Sequence, residues 1–200
     1  MAGEFIASIS GIYNFAFLIY RKHLSTTARP SYKKGPFFRL VHLVDPHLMC
    51  IPSLHAMLMI HSYTSFRNFI RRMGEEAELA GLIEKIFCGA VVITEAVLYV
   101  KQHSINCIAA SLFAMNHYTS GSESHSLFDA SLAESFLFSL FRIKDIPPEY
   151  AAFYKEPFTE PENISILHKE MLTIYRNFQK PENKDWIANI VRFLESCPLK

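Results

Sequence analysis

The sequence predicts an all-α fold, an antiparallel helical bundle. Long apolar segments recur with polar or proline-bearing loops between them, and strand-like alternation is scarce. The final segments place apolar residues at helical spacing, which strands do not. Hydrophobic residues are 50% of the 200, enough for one domain to bury a core. With 17 Phe, 20% charged residues and a mean hydropathy of +0.12, the chain sits between a soluble helical protein and a compact multi-pass membrane protein.

Phe5 to Tyr20 is an uncharged apolar segment, the first helix. Arg21 to Cys50 follows as a long loop broken by Pro30, Pro36 and Pro46. Pro52, a residue suited to the first helical position, opens a second helix that runs to about Ile70. Arg71 to Leu79 is a charged turn with Gly74. A third helix spans Leu82 to Val100. Lys101-Gln102-His103 interrupts it, and a fourth runs from Ser104 to Met115. Leu132 to Phe141 is a fifth apolar piece, after a Ser-rich loop around Gly121.

Beyond Asp145 the texture changes, so residues 1–144 are expected to form the helical body and 145–200 an accessory tail. Pro147, Pro148 and Pro157 mark a linker. Two amphipathic helices then each begin with Pro-Glu-Asn, at Pro161 and Pro181, as a helical hairpin packed on the body or on a partner. The first aligns Ile164, Leu167, Met171, Leu172, Tyr175 and Phe178; the second aligns Ile187, Ile190, Val191 and Leu194.

Charge and cysteine usage exclude several classes. A net charge of +1 does not fit a general nucleic-acid binder. Cys50, Cys88, Cys107 and Cys197 form no C-x-x-C pair, which argues against a zinc ribbon, a redox dithiol or a dense disulfide scaffold. No basic leader region or small-residue cleavage site frames the first apolar segment. His42, Asp45 and His47 lack a further ligand at a recognised spacing, so no metal and no cofactor is expected. A bilayer span needs about twenty mostly apolar residues. Phe5 to Tyr20 falls short, and the third helix carries Glu84, Lys85 and Glu95.

Three blocks carry the chemistry: Lys22 to Arg29-Pro30, Pro52-Ser53-Leu54-His55, and Lys101-Gln102-His103. If consecutive helices run antiparallel, all three fall at one end of the bundle. A phosphomonoester needs cations to bind it, a nucleophile, and a proton for its leaving oxygen. Lys22, Arg29 and Lys101 are suited to the phosphate oxygens. Ser53 sits at a helix N-terminus, which favours anions. His103 fits the nucleophile that forms a phosphohistidine, and His55 the general acid, since imidazole titrates near neutrality.

These blocks resemble the type 2 phosphatidic acid phosphatase and vanadium haloperoxidase superfamily over roughly residues 10 to 120. Lys22, six residues, then Arg29-Pro30 matches its first motif, and Pro52-Ser53-Leu54-His55 is similar to its second in lipid phosphotransferase-like members. Val100-Lys101-Gln102-His103 is similar to the third in that branch. The resemblance implies a multi-pass membrane phosphatase or phosphotransferase acting on a lipid phosphate through phospho-His103, without a metal and open to inhibition by vanadate. A cytoplasmic location is the alternative.

Three departures accompany the resemblance. The family's third-motif Arg falls at Val97, leaving Lys101 to supply that charge. The Asp that orients the nucleophile falls at Cys107; losing the carboxylate of a related triad costs about 10⁴ in rate, and a thiol of reference pKa about 8.5 is mostly neutral. Glu95 is no substitute, lying eight residues and about 12 Å along a helix from His103. Asp45 in the first loop is a conceivable one. Membrane members also carry more apolar helix before the first motif. Restoring Asp at position 107 is therefore expected to raise turnover. The contrasting expectation is a non-catalytic family member that holds phosphate or lipid headgroups; a third class, a soluble helical adaptor, would use the tail.

Overall fold

The computed structural model describes residues 2–23, 50–99, 103–120, 128–142, 161–179 and 185–196. Among them are seven helices and no strand: α1 (Ala2–Tyr20), α2 (Leu54–Met73), α3 (Ala80–Tyr99), α4 (Ile105–Ser120), α5 (Ala130–Ser139), α6 (Pro161–Phe178) and α7 (Trp186–Ser196). None of the described helices is long and apolar enough to cross a membrane.

Local chemistry explains the helix ends. The second helix starts later than expected, because Ser53 is its N-cap: the hydroxyl accepts from the Ala56 N–H at 3.3 Å. Such a cap contributes about 1 kcal/mol. Pro52 therefore stands before the cap rather than inside the helix. Gly74 closes α2 in the left-handed region, at φ 77°. Asp129 caps α5 by accepting from the Leu132 N–H, and Asp185 caps α7, which begins at Trp186 rather than Pro181.

Contacts set the helix directions. Phe5 meets Phe66, Ser8 meets His61, and Tyr20 meets Pro52, so α1 and α2 run in opposite senses. Ser53 meets Cys107 and His61 meets Tyr118, so α2 and α4 run alongside each other in the same sense. The end of α1 thus shares one pole with the starts of α2 and α4.

Helix α4 is the centre of the molecule. Every residue from Cys107 to Met115 is buried, and a helix apolar on all sides must be surrounded. The last two helices supply part of that surround. Met171 and Tyr175 of α6 and Ile190 of α7 are fully buried in the same core, with Phe178 nearly so. These tail helices pack into the central core, on the body. His168 shares their buried face.

One junction is strained. Phe141, just after α5, has φ 62°, a left-handed conformation that costs a side-chain-bearing residue about 1–2 kcal/mol. Its N–H donates to Oε1 of the buried Glu95 on α3, at 2.5 Å. The preceding carbonyl, Leu140, accepts from Nε2 of the buried His168 at 2.7 Å. Two side chains from two helices hold this turn.

Candidate functional site

The shared pole brings the two motif histidines together. His55 Nδ1 lies 3.3 Å from His103 Nε2, with ring centroids 5.5 Å apart and planes at 64°. His103 follows the end of α3, where its N–H donates to the Val97 carbonyl at 3.2 Å, and its side chain is largely buried. His55 is the second residue of α2 and is exposed.

A backbone carbonyl fixes the protonation pattern. His103 Nδ1 is 3.1 Å from the Cys50 oxygen. A carbonyl can only accept, so Nδ1 carries the hydrogen and Nε2 of the neutral ring keeps a lone pair. His55 Nδ1–H donates to that lone pair. The buried imidazole therefore presents its nucleophilic nitrogen toward the exposed one. Nothing the size of a phosphoryl group fits in a 3.3 Å gap, so attack on phosphorus requires the His55 ring to rotate away.

The segment bearing the Cys50 carbonyl is anchored on both sides. Tyr20, at the end of α1, donates its hydroxyl to the Pro52 carbonyl at 2.6 Å. Burial pushes the Tyr20 phenol well above its ordinary range, so it remains a donor. Ser53 N–H reaches the Cys107 carbonyl at 3.4 Å. Ser111 Oγ donates to the Ser53 carbonyl at 3.0 Å and to Cys107 at 2.7 Å, sharing one hydrogen between them.

The other expected site residues are distributed unevenly. Lys22 is exposed two residues beyond Tyr20, at the pole where the imidazoles meet. Ser53 is fully buried and its hydroxyl caps α2, so here it faces the helix rather than a solvent-borne anion. Arg29 and Lys101 lie outside the described residues, as do His42, Asp45 and His47. Among the described residues no cluster of His, Cys, Asp or Glu has the make-up of a metal site.

Cys107 has a different task from an orienting group. Its sulfur accepts from the Ser104 N–H at 3.2 Å and pairs with the Ser104 hydroxyl at 3.3 Å. The Ser104 N–H to sulfur bond is the reciprocal half of a capping box at the start of α4, with a thiol in the usual Glu or Gln position. Burial pushes the Cys107 thiol up to about 11, so it stays neutral. Glu95 turns to Phe141, in keeping with a packing role rather than that of a base.

Cys50, Tyr20 and Ser111 were not legible as site residues. Cys50 acts through its backbone, which any residue would supply. Tyr20 and Ser111 were visible only as polar tips in apolar runs.

Two other features lie away from this pole. Ser8 Oγ sits 2.7 Å from His61 Nε2 between α1 and α2, with Ser65 at 3.4 Å. This looks like a nucleophile–base pair. However, the Ser8 hydroxyl also donates to the Phe5 carbonyl at 2.6 Å, which leaves His61 as the donor to Ser8. Phe5 stacks on His61 and Tyr118 meets it edge-on, so the group is a packed polar contact. A surface cleft of about 490 Å³ lies among Tyr63, Arg67, Glu76, Ile83, Phe87 and Leu132. It is remote from the imidazoles: Arg67 is twelve residues from His55, about 18 Å along α2.

No family model matches the chain, and neither a curated protein nor a solved structure does.

Proposed function

We propose that the chain is a lipid-phosphate phosphatase or phosphotransferase working through a phosphohistidine on His103. The carrying observation is the paired imidazoles, one buried with its Nδ1–H held and its Nε2 turned to the other, which is exposed at the same pole. His103 Nε2 attacks phosphorus and the bond to the leaving oxygen breaks. His55, protonated and rotated off His103, gives that oxygen its proton. Water, or an acceptor alcohol, then attacks phospho-His103, losing its proton to the now neutral His55. Lys22, with Arg29 and Lys101 from the motif blocks, neutralises the equatorial oxygens.

A lipid substrate is favoured by α1. It carries no charge from Phe5 to Tyr20 and exposes Ile6, Tyr13, Phe17 and Leu18 on its outer side. Its C-terminal end delivers Arg21 and Lys22, cations suited to anionic headgroups. The proposal places the site at a membrane surface; the spanning helices that a multi-pass arrangement requires are absent among the described residues.

The second reading is a non-catalytic phosphate or headgroup binder. The closed imidazole gap and the neutral thiol at position 107 favour it. A phosphate-release assay over a panel of lipid phosphates decides between them. Release by the wild type, lost in His103→Ala and blocked by vanadate, supports the enzyme. Binding without release supports the binder, and equal release by His103→Ala rules the mechanism out.

A further inference from the structure

We infer that the Cys50 carbonyl orients the nucleophilic imidazole, and that Tyr20 and Ser111 are positioning residues that fix this carbonyl. The inference rests on the phosphohistidine reading for its kinetic consequence, but its structural content is independent of it. A histidine nucleophile needs its remote nitrogen protonated and its ring held, and a carboxylate does both while also balancing charge. A carbonyl does the first two alone. In the catalytic triad, much of the loss on removing the carboxylate comes from the wrong tautomer. Here the right tautomer is kept by Nδ1–H···O=C of Cys50 at 3.1 Å.

That bond is only as directional as the strand of backbone that bears it. The segment 50–53 has three clamps: Tyr20 on Pro52, Ser111 on Ser53, and the Ser53 N–H on Cys107. Cys50 is 2% exposed and Ser53 fully buried, so water cannot take over the lost partners. Tyr20 is the stronger anchor, since its single hydrogen goes to one acceptor at 2.6 Å while Ser111 divides its own. Both residues act through the backbone and touch neither substrate nor reacting atoms.

Full-length protein labelled with ¹⁵N-histidine tests this by two-bond proton–nitrogen correlation at pH 8, with the His103 signals assigned by their absence in His103→Ala. The expected wild-type spectrum shows Nδ1 protonated and Nε2 bare, the tautomer an unheld imidazole disfavours. Tyr20→Phe and, less strongly, Ser111→Ala should move His103 toward the Nε2–H form, while Ser111→Thr keeps the wild-type pattern. Signals from His61, outside this cluster, report that each variant is folded. In phosphate release, Tyr20→Phe should lower kcat about 10-fold or more, on the scale of removing the outer-shell partner of a metal-bound histidine, with KM little changed. An Nε2–H tautomer in the wild type overturns the inference, as does an unaltered tautomer in folded Tyr20→Phe. The expected tautomers without any phosphate release would uphold the inference while removing the proposed enzyme.

Discussion

Two junctions of this molecule each set imidazole against backbone, and they do so in opposite senses. At the pole of α1, α2 and α4, the backbone holds the side chain. The Cys50 carbonyl fixes His103, and the ring's other nitrogen is left toward an exposed partner. At the turn after α5, side chains hold the backbone. Glu95 takes the Phe141 N–H and His168 gives to the Leu140 carbonyl, both deep in the core. The first arrangement turns a ring nitrogen toward an exposed side chain. The second uses its polar groups to stabilise a left-handed residue. A buried titratable group is thus a functional candidate where its geometry turns it toward an exposed side chain rather than into the core.

The comparison predicts different losses at the two places. Glu95→Ala should destabilise the fold by about 1–3 kcal/mol, because it leaves a buried N–H without its acceptor at an already strained residue. Urea denaturation measures this. A loss below about 0.5 kcal/mol, the scale of ordinary surface substitutions, would show that the turn does not depend on Glu95.

The second prediction concerns pH. Burial is the main cause that lowers the proton affinity of His168; its bond to Leu140 opposes the shift and Arg142 adds to it. His168 Nδ1 is buried with no hydrogen-bond partner, so a proton there would be an uncompensated charge. His61 and His117 are lowered by burial as well. For each, the unfolded chain binds a proton that the folded chain refuses. Stability is therefore intact above about 6.5, the unfolded value, and falls as pH drops below it. Melting curves between pH 8 and 5 should show this acid limb. His168→Gln, which keeps a donor for Leu140 but does not titrate, should flatten it. An unchanged limb in that variant would remove His168 from the account.

A smaller effect is expected at Gly74, where an added Cβ meets nothing but the backbone stands at φ 77°. Gly74→Ala should cost about 1 kcal/mol from conformation alone and leave the imidazole pole untouched. The smallest effect is at Cys107. Because its sulfur serves Ser104 and His103 already has an acceptor, Cys107→Asp should give no gain in turnover. A rise in phosphate release would restore the orienting role that the motif alignment assigns to this position.

The sequence revealed the pole but not its internal wiring. The breaks after Tyr20, before Leu54 and before Ile105 were readable from composition, and alternating helix directions carried His55 and His103 to one end. The group holding His103 was hidden because a backbone carbonyl leaves no mark on residue identity. Cys107 occupied a motif slot, so the Ser104-x-x-Cys cap was overlooked. The tail was readable as a hairpin packed on the body or on a partner, and the burial of Met171, Tyr175 and Ile190 in the core that holds Cys107 to Met115 is packing on the body.

The central claim is that His103 becomes covalently phosphorylated, and trapping that intermediate tests it most directly. Protein mixed briefly with a ³²P-labelled lipid phosphate and quenched in alkali should retain label that acid releases, and His103→Ala should retain none. Label that survives acid, or label kept by His103→Ala, would contradict the account.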